Sequence, residues 1–164
     1  MQVRKLEHVC ITVPDLKEAL DFYCGVMGFE STFQTDNDEA DGILLGFAQE
    51  QIGLRAQHVL AAGADPAQAT EINIVEYKNP KTLDTAVPYE VMNHIGITRL
   101  ALMVDDTKEA IEAVRNVAGV EVVSEPNDIL IVEPDVTLTA TWASFKDPFG
   151  IFITLSQPPK AERK

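Results

Sequence analysis

Polar and apolar residues alternate in "HVCITV" (His8–Val13), with Val9, Ile11 and Val13 on one side and His8, Cys10 and Thr12 on the other. A period of two predicts a half-buried strand. The period then changes. Leu16, Leu20, Tyr23 and Met27 recur at helical spacing, and Asp15 stands three residues before Glu18, as in a capped helix start. Gly28 suits the close of that helix. Strand-like stretches follow in "FESTFQT", "LRAQHVLAA" and "EINIVEY", separated by the turn-rich segments "DNDEADG" and "GADPAQ".

The same succession returns from Arg99. Residues 8–30 align with residues 99–121 without a gap, and eight of the 23 pairs are identical, among them Val13/Val104, Asp15/Asp106, Glu18/Glu109 and Gly28/Gly119. In the second copy Ala110, Ile111, Val114 and Val117 form the helical stripe. "VEVVSEP", "TATWASF" and "IFITLS" supply strands, with turns at "EPND" and "KDPFG". Each half reads as strand–helix–strand–strand–strand, an internal repeat that predicts one structural unit used twice. The predicted organisation is a first βαβββ module over 1–82, a connector over 83–95, a second module over 96–158 and a flexible tail over 159–164.

Charge narrows the partners. Thirteen basic and 26 acidic residues give a formal net charge of −13, which disfavours nucleic acid and anionic membranes. No apolar run approaches the roughly 20 residues of a membrane span, and the N-terminus does not read as a signal peptide. A cytoplasmic location is the expectation. Cys10 and Cys24 make no disulfide framework or zinc cluster and read as small buried hydrophobes.

The stretches "HVCITVPDLKEALDFYCGVMGFE", "EINIVEYKNP", "RLALMVDD" and "FKDPFGIFITL" carry a resemblance to the vicinal oxygen chelate superfamily, which includes glyoxalases, epimerases, extradiol dioxygenases and bleomycin-resistance proteins. The resemblance implies an α+β fold of two βαβββ repeats forming a curved mixed sheet around a cleft, with helices on the outer face. It also implies a homodimer, with the repeats paired within one chain or exchanged between two. Metal enzymes of that group hold a divalent ion with His, Gln or Glu on the first and fourth strands of each repeat. The matching positions here are His8, Asn73, Arg99 and Thr154.

Arg99 is not a metal ligand and Thr154 is a rare one, so no cofactor is expected and a divalent metal is the disfavoured alternative. Glu71 shares a strand face with Asn73 and could assist, whereas His58 and His94 read as ordinary satisfied or solvated histidines. Without a metal the set still suggests chemistry. His8 can act as a general acid or base. Arg99 can bind an anion or pair with Glu71, while Asn73, Thr154 and Glu71 position polar groups and Met103, Phe152, Val75 and Cys10 give an apolar floor. The expectation is a protein that binds a small oxygenated, anionic organic molecule, as an isomerase, epimerase or lyase with His8 as acid/base. The alternatives are a non-catalytic ligand-binding protein of the bleomycin-resistance kind and a metal-dependent dioxygenase or glyoxalase with atypical ligands.

Overall fold

The structure is a computed structural model that describes residues 4–83, 96–132 and 136–163. The chain folds as two compact units, residues 1–85 and 86–164. The first contains β1 (His8–Thr12), α1 (Leu16–Tyr23), β2 (Phe29–Asp41), β3 (Gln51–Ala61) and β4 (Glu71–Asn79). The second contains β5 (Leu100–Met103), α2 (Thr107–Arg115), β6 (Glu121–Val132), β7 (Val136–Lys146), β8 (Phe152–Ser156) and β9 (Lys160–Arg163). Both are βαβββ units, and the fold is α+β.

The strand orders are β1-β4-β3-β2 and β5-β8-β7-β6, with β9 added beside β7. In each unit the first and fourth strands run parallel and the other pairs are antiparallel. That parallel pair sets His8 beside Glu71 and Cys10 beside Asn73, although they lie far apart along the chain.

The helices form where the sequence predicts them. Asp15 accepts from the Glu18 N–H, and Asp106 accepts from the N–H groups of Lys108 and Glu109. In α1 the buried residues are Leu16, Ala19, Phe22 and Tyr23, so Ala19 and Phe22 take the places expected for Leu20 and Met27. A helix of eight residues has only about two turns, and Met27 lies beyond it. In α2 Ile111 and Val114 are buried as expected. Thr107 joins them because its hydroxyl donates to Gln157 Oε1 at 2.6 Å. Helix α1 packs on β3 and β4 and α2 on β6 and β7. Ile11, Val13, Ile72 and Ile74 form the strand side of the first core, and Ile153 and Leu155 are buried in the second unit.

Four local expectations are corrected. The acidic stretch "DNDEADG" belongs to β2 up to Asp41, its charge offset where Lys78 bridges Asp36 and Asp38. "EPND" lies inside β6, an edge strand, where a register shift between Ser124 and Asn127 accommodates Pro126. Residues 160–163, expected as a tail, form β9 on β7. Cys10 is exposed and Cys24 half-buried, because Cys10 is on the face of β1 opposite its aliphatic series. Most of the expected connector, residues 84–95, lies outside the described residues, as does His94.

Gly28 and Gly119 both have positive φ, 76° and 83°. A Cβ at Gly28 would meet nothing within 4 Å, whereas at Gly119 it would lie 3.1 Å from Pro148 Cα. Gly28→Ala should therefore cost about 1–2 kcal/mol from backbone strain alone, and Gly119→Ala should cost more. Urea unfolding midpoints of the two variants check this order.

Candidate functional site

Because β1 and β4 bury Ile11, Ile72 and Ile74 toward α1, their alternate residues fall on the other face of the first sheet. His8, Cys10, Glu71 and Asn73 are on that face, as the sequence predicts. The β3–β4 register adds His58, which pairs directly with Asn73. The opposite end of this face is closed. Ile52, Leu54, Ala56 and Val75 form a buried cluster against Ala40, Phe47 and Tyr77. Val75 is therefore core rather than the floor of a pocket, covered by a segment between β2 and β3 that includes Phe47.

The polar end is built around Glu71. Its Oε1 accepts from the Thr32 hydroxyl at 2.8 Å, and its Oε2 lies 2.8 Å from His58 Nδ1. Both oxygens are thus engaged within the first unit, and the Glu71 and His58 side chains are only 20% and 17% exposed. The Thr32 hydroxyl, followed by the His58 ring, holds the Glu71 carboxyl below its ordinary 4.5. An ionised carboxylate only accepts, so His58 Nδ1 carries the proton of that bond, and among the described residues nothing hydrogen-bonds to Nε2. His58 is a satisfied histidine, as expected, but its partner puts it at the centre of the face.

His8 is half-buried beside it, the ring centroids 5.2 Å apart and the planes at 77°. Among the described residues nothing hydrogen-bonds to the His8 ring. Asn73 Nδ2 has only a weak acceptor, Cys10 Sγ at 3.7 Å. Asn73 Oδ1 is buried with no partner among the described residues, a burden of about 1–3 kcal/mol. Among the described residues the face therefore combines one imidazole with no hydrogen-bond partner, one imidazole fixed by a carboxylate and one amide held by a thiol sulfur.

A register shift in β2 between Ser31 and Gln34 contributes two more groups. It lets consecutive residues reach the same region, the Thr32 hydroxyl on Glu71 and the Phe33 ring 5.8 Å from His58. Sequence alternation alone misses this, because a bulge breaks the period of two. His58 was within reach of sequence reasoning, since pairing β3 with β4 as neighbours turns it toward Asn73.

The second unit holds the remaining predicted residues. Arg99 lies just ahead of β5 and is exposed. Met103 is 68% exposed, Phe152 is half-buried, and Thr154 is buried with its hydroxyl 3.4 Å from the Leu100 carbonyl. Another concavity of the first unit, about 240 Å³, is lined by Pro14, Glu76, Tyr77, Lys78, Lys81 and Thr82. Two of its charged groups serve the fold. Glu76 accepts from the Leu16 N–H at the start of α1 and from Arg55, and Lys78 pairs with Asp36 and Asp38.

The family model described as Glyoxalase/Bleomycin resistance protein/Dioxygenase superfamily matches residues 5–155. The chain belongs to this superfamily. A search of curated protein sequences finds no match. Among solved structures, a glyoxalase family protein from Bacillus cereus is similar at 19% identity, covering 96% of this chain and 95% of that one with a TM-score of 0.72. The trypanothione-dependent glyoxalase I of Leishmania major is similar at 18% identity over 94% and 87%, with a TM-score of 0.60. TnmS3, an antibiotic binding protein from Streptomyces, is similar at 23% identity over 96% and 98%, with a TM-score of 0.56. At these identities the likeness concerns the fold.

Metal enzymes of the glyoxalase superfamily need several anionic or imidazole donors. The four matched positions here offer an imidazole, an amide, a guanidinium and a hydroxyl. Arg99 has no lone pair to give and carries a positive charge. Among the described residues no group of three or more His, Cys, Asp or Glu side chains could hold a metal ion. This donor set does not fit a divalent cation. No helix among the described residues is long and apolar enough to cross a membrane.

The hydrogen bonds to Glu71 give a pH prediction. Its carboxyl titrates lower in the folded chain than its ordinary value. Ionised Glu71 therefore stabilises the fold above about pH 4.5, and this contribution is lost as the pH falls through the lowered folded value. Glu71→Gln should lower the unfolding midpoint at neutral pH and flatten its fall below pH 4.5, measured by thermal melts across pH.

Proposed function

We propose that the first unit binds a small oxygenated organic molecule on this open face and moves a proton on it, in the manner of an isomerase, epimerase or lyase. His8 is the acid/base. The observation that carries this reading is a half-buried imidazole without a hydrogen-bond partner among the described residues, set beside a second imidazole that Glu71 fixes. A ring nitrogen of neutral His8 takes a proton from carbon next to a carbonyl. The C–H bond breaks, an N–H bond forms, and the electron pair moves to the carbonyl oxygen. Asn73 Nδ2, held only by a thiol sulfur, can turn to donate to that oxygen. The imidazolium returns the proton to the same or a neighbouring atom, or to a leaving group. The second-unit residues Arg99, Thr154, Met103 and Phe152 stay candidates for ligand binding and do not enter this step. A homodimer and a cytoplasmic location are part of the same proposal, and sedimentation and cell fractionation test them.

A non-catalytic binding protein is the second reading. It is favoured by the missing metal donors and by the likeness to an antibiotic binding protein.

Incubation in D2O with a panel of small 2-oxo and 2-hydroxy acids, read by proton NMR, separates the two. Protein-dependent deuterium entry next to the carbonyl is expected, falling about 100-fold or more in His8→Ala. Exchange that persists in His8→Ala contradicts the role of His8. Saturable binding with no exchange favours the second reading.

A further inference from the structure

We infer that the exposed Phe33 ring, backed edge-to-face by His58 and, beyond it, His8, is a stacking platform for the flat face of a conjugated organic ligand, which makes planar molecules the ligand class of this site. The inference rests on the reading of this face as the binding face, and not on which residue moves a proton.

Phe33 comes from the edge strand β2, His58 from β3 and His8 from β1, so the row crosses the sheet. His58 meets Phe33 on one side at 5.8 Å and 75°, and His8 on the other at 5.2 Å and 77°. Both contacts are edge-to-face, the arrangement aromatic quadrupoles favour. Glu71 anchors the middle ring through Nδ1, so the row has a fixed centre.

Phe33 is the telling member. It is 60% exposed, which forgoes the burial that a large aromatic side chain usually finds. The β2 bulge aims it at His58 while its neighbour Thr32 holds Glu71. The backbone of this segment is fixed as well, since Gln57 Nε2 donates to the Phe33 carbonyl at 2.9 Å. An exposed ring set edge-to-face on an anchored imidazole offers π surface to an incoming flat molecule. A polar substituent on that molecule can reach the free His8 nitrogens or the Asn73 amide. The Glu71 charge is already engaged by Thr32 and His58 and does not require a cationic ligand.

The test uses 2-naphthoate and its saturated counterpart, decahydro-2-naphthoate, titrated into the full chain and followed through the His8 and His58 ring resonances. The two acids carry the same charge and differ in flatness and π character. Naphthoate should saturate and shift both histidines, and the saturated acid should bind at least several-fold more weakly. Phe33→Leu, at an exposed position that leaves the fold intact by circular dichroism, should weaken naphthoate about two- to tenfold, while Phe33→Trp retains it. Equal binding of the two acids, no saturation, or shifts that spare His8 and His58 overturn the platform. So does a change of sedimentation in Phe33→Asp with naphthoate binding unaltered, which makes Phe33 a contact between copies. Naphthoate binding retained while His8→Ala still exchanges protons removes the role of His8 and leaves the platform standing. The reverse pattern removes the platform alone.

Discussion

The aliphatic side chains of β1 and β4 can be buried on only one face of the first sheet. Ile11, Ile72 and Ile74 take the side of α1, and a strand period of two then commits His8, Cys10, Glu71 and Asn73 to the other. A slip of one residue in β1 or β4 would send the polar set into the core and leave the isoleucines in water. The hydrophobic packing that stabilises the unit is thus also what positions its chemistry.

On that fixed face a second constraint operates. A carboxylate that is four-fifths buried needs donors, and Glu71 finds them in Thr32 and His58. The engagement of Glu71 leaves His8 as the imidazole without a partner among the described residues. One ring is immobilised and its neighbour is left free. The proposed proton transfer assigns the unpartnered ring to the substrate and the carboxylate-bound ring to its support.

Much of this was legible in the sequence because it depends on local pattern. The repeated Asp–x–x–Glu starts, the strand faces and the placement of His8, Asn73 and Glu71 all follow from periods of two and 3.6. What was not legible depends on pairing. The β2 bulge that brings Thr32 and Phe33 together and the packing of Val75 and Tyr77 against Phe47 arise from contacts between segments distant along the chain. Alternation within one strand does not encode them. "DNDEADG" and "EPND" misled for a related reason. Turn-forming composition is a local preference, and Lys78 and an edge bulge override it. Arg99, read from the sequence as an anion binder or a partner of Glu71, is exposed just before β5.

The superfamily supplies a fold with many chemistries, so the reaction has to be argued from the side chains present. The central claim is the unequal treatment of the two histidines. Nitrogen-15 NMR of the histidine rings at neutral pH tests it most directly. The account predicts that His58 holds one tautomer with Nδ1 protonated, and that Glu71→Gln disturbs it, while His8 averages between both tautomers. A locked His8, or a His58 indifferent to Glu71→Gln, would contradict it.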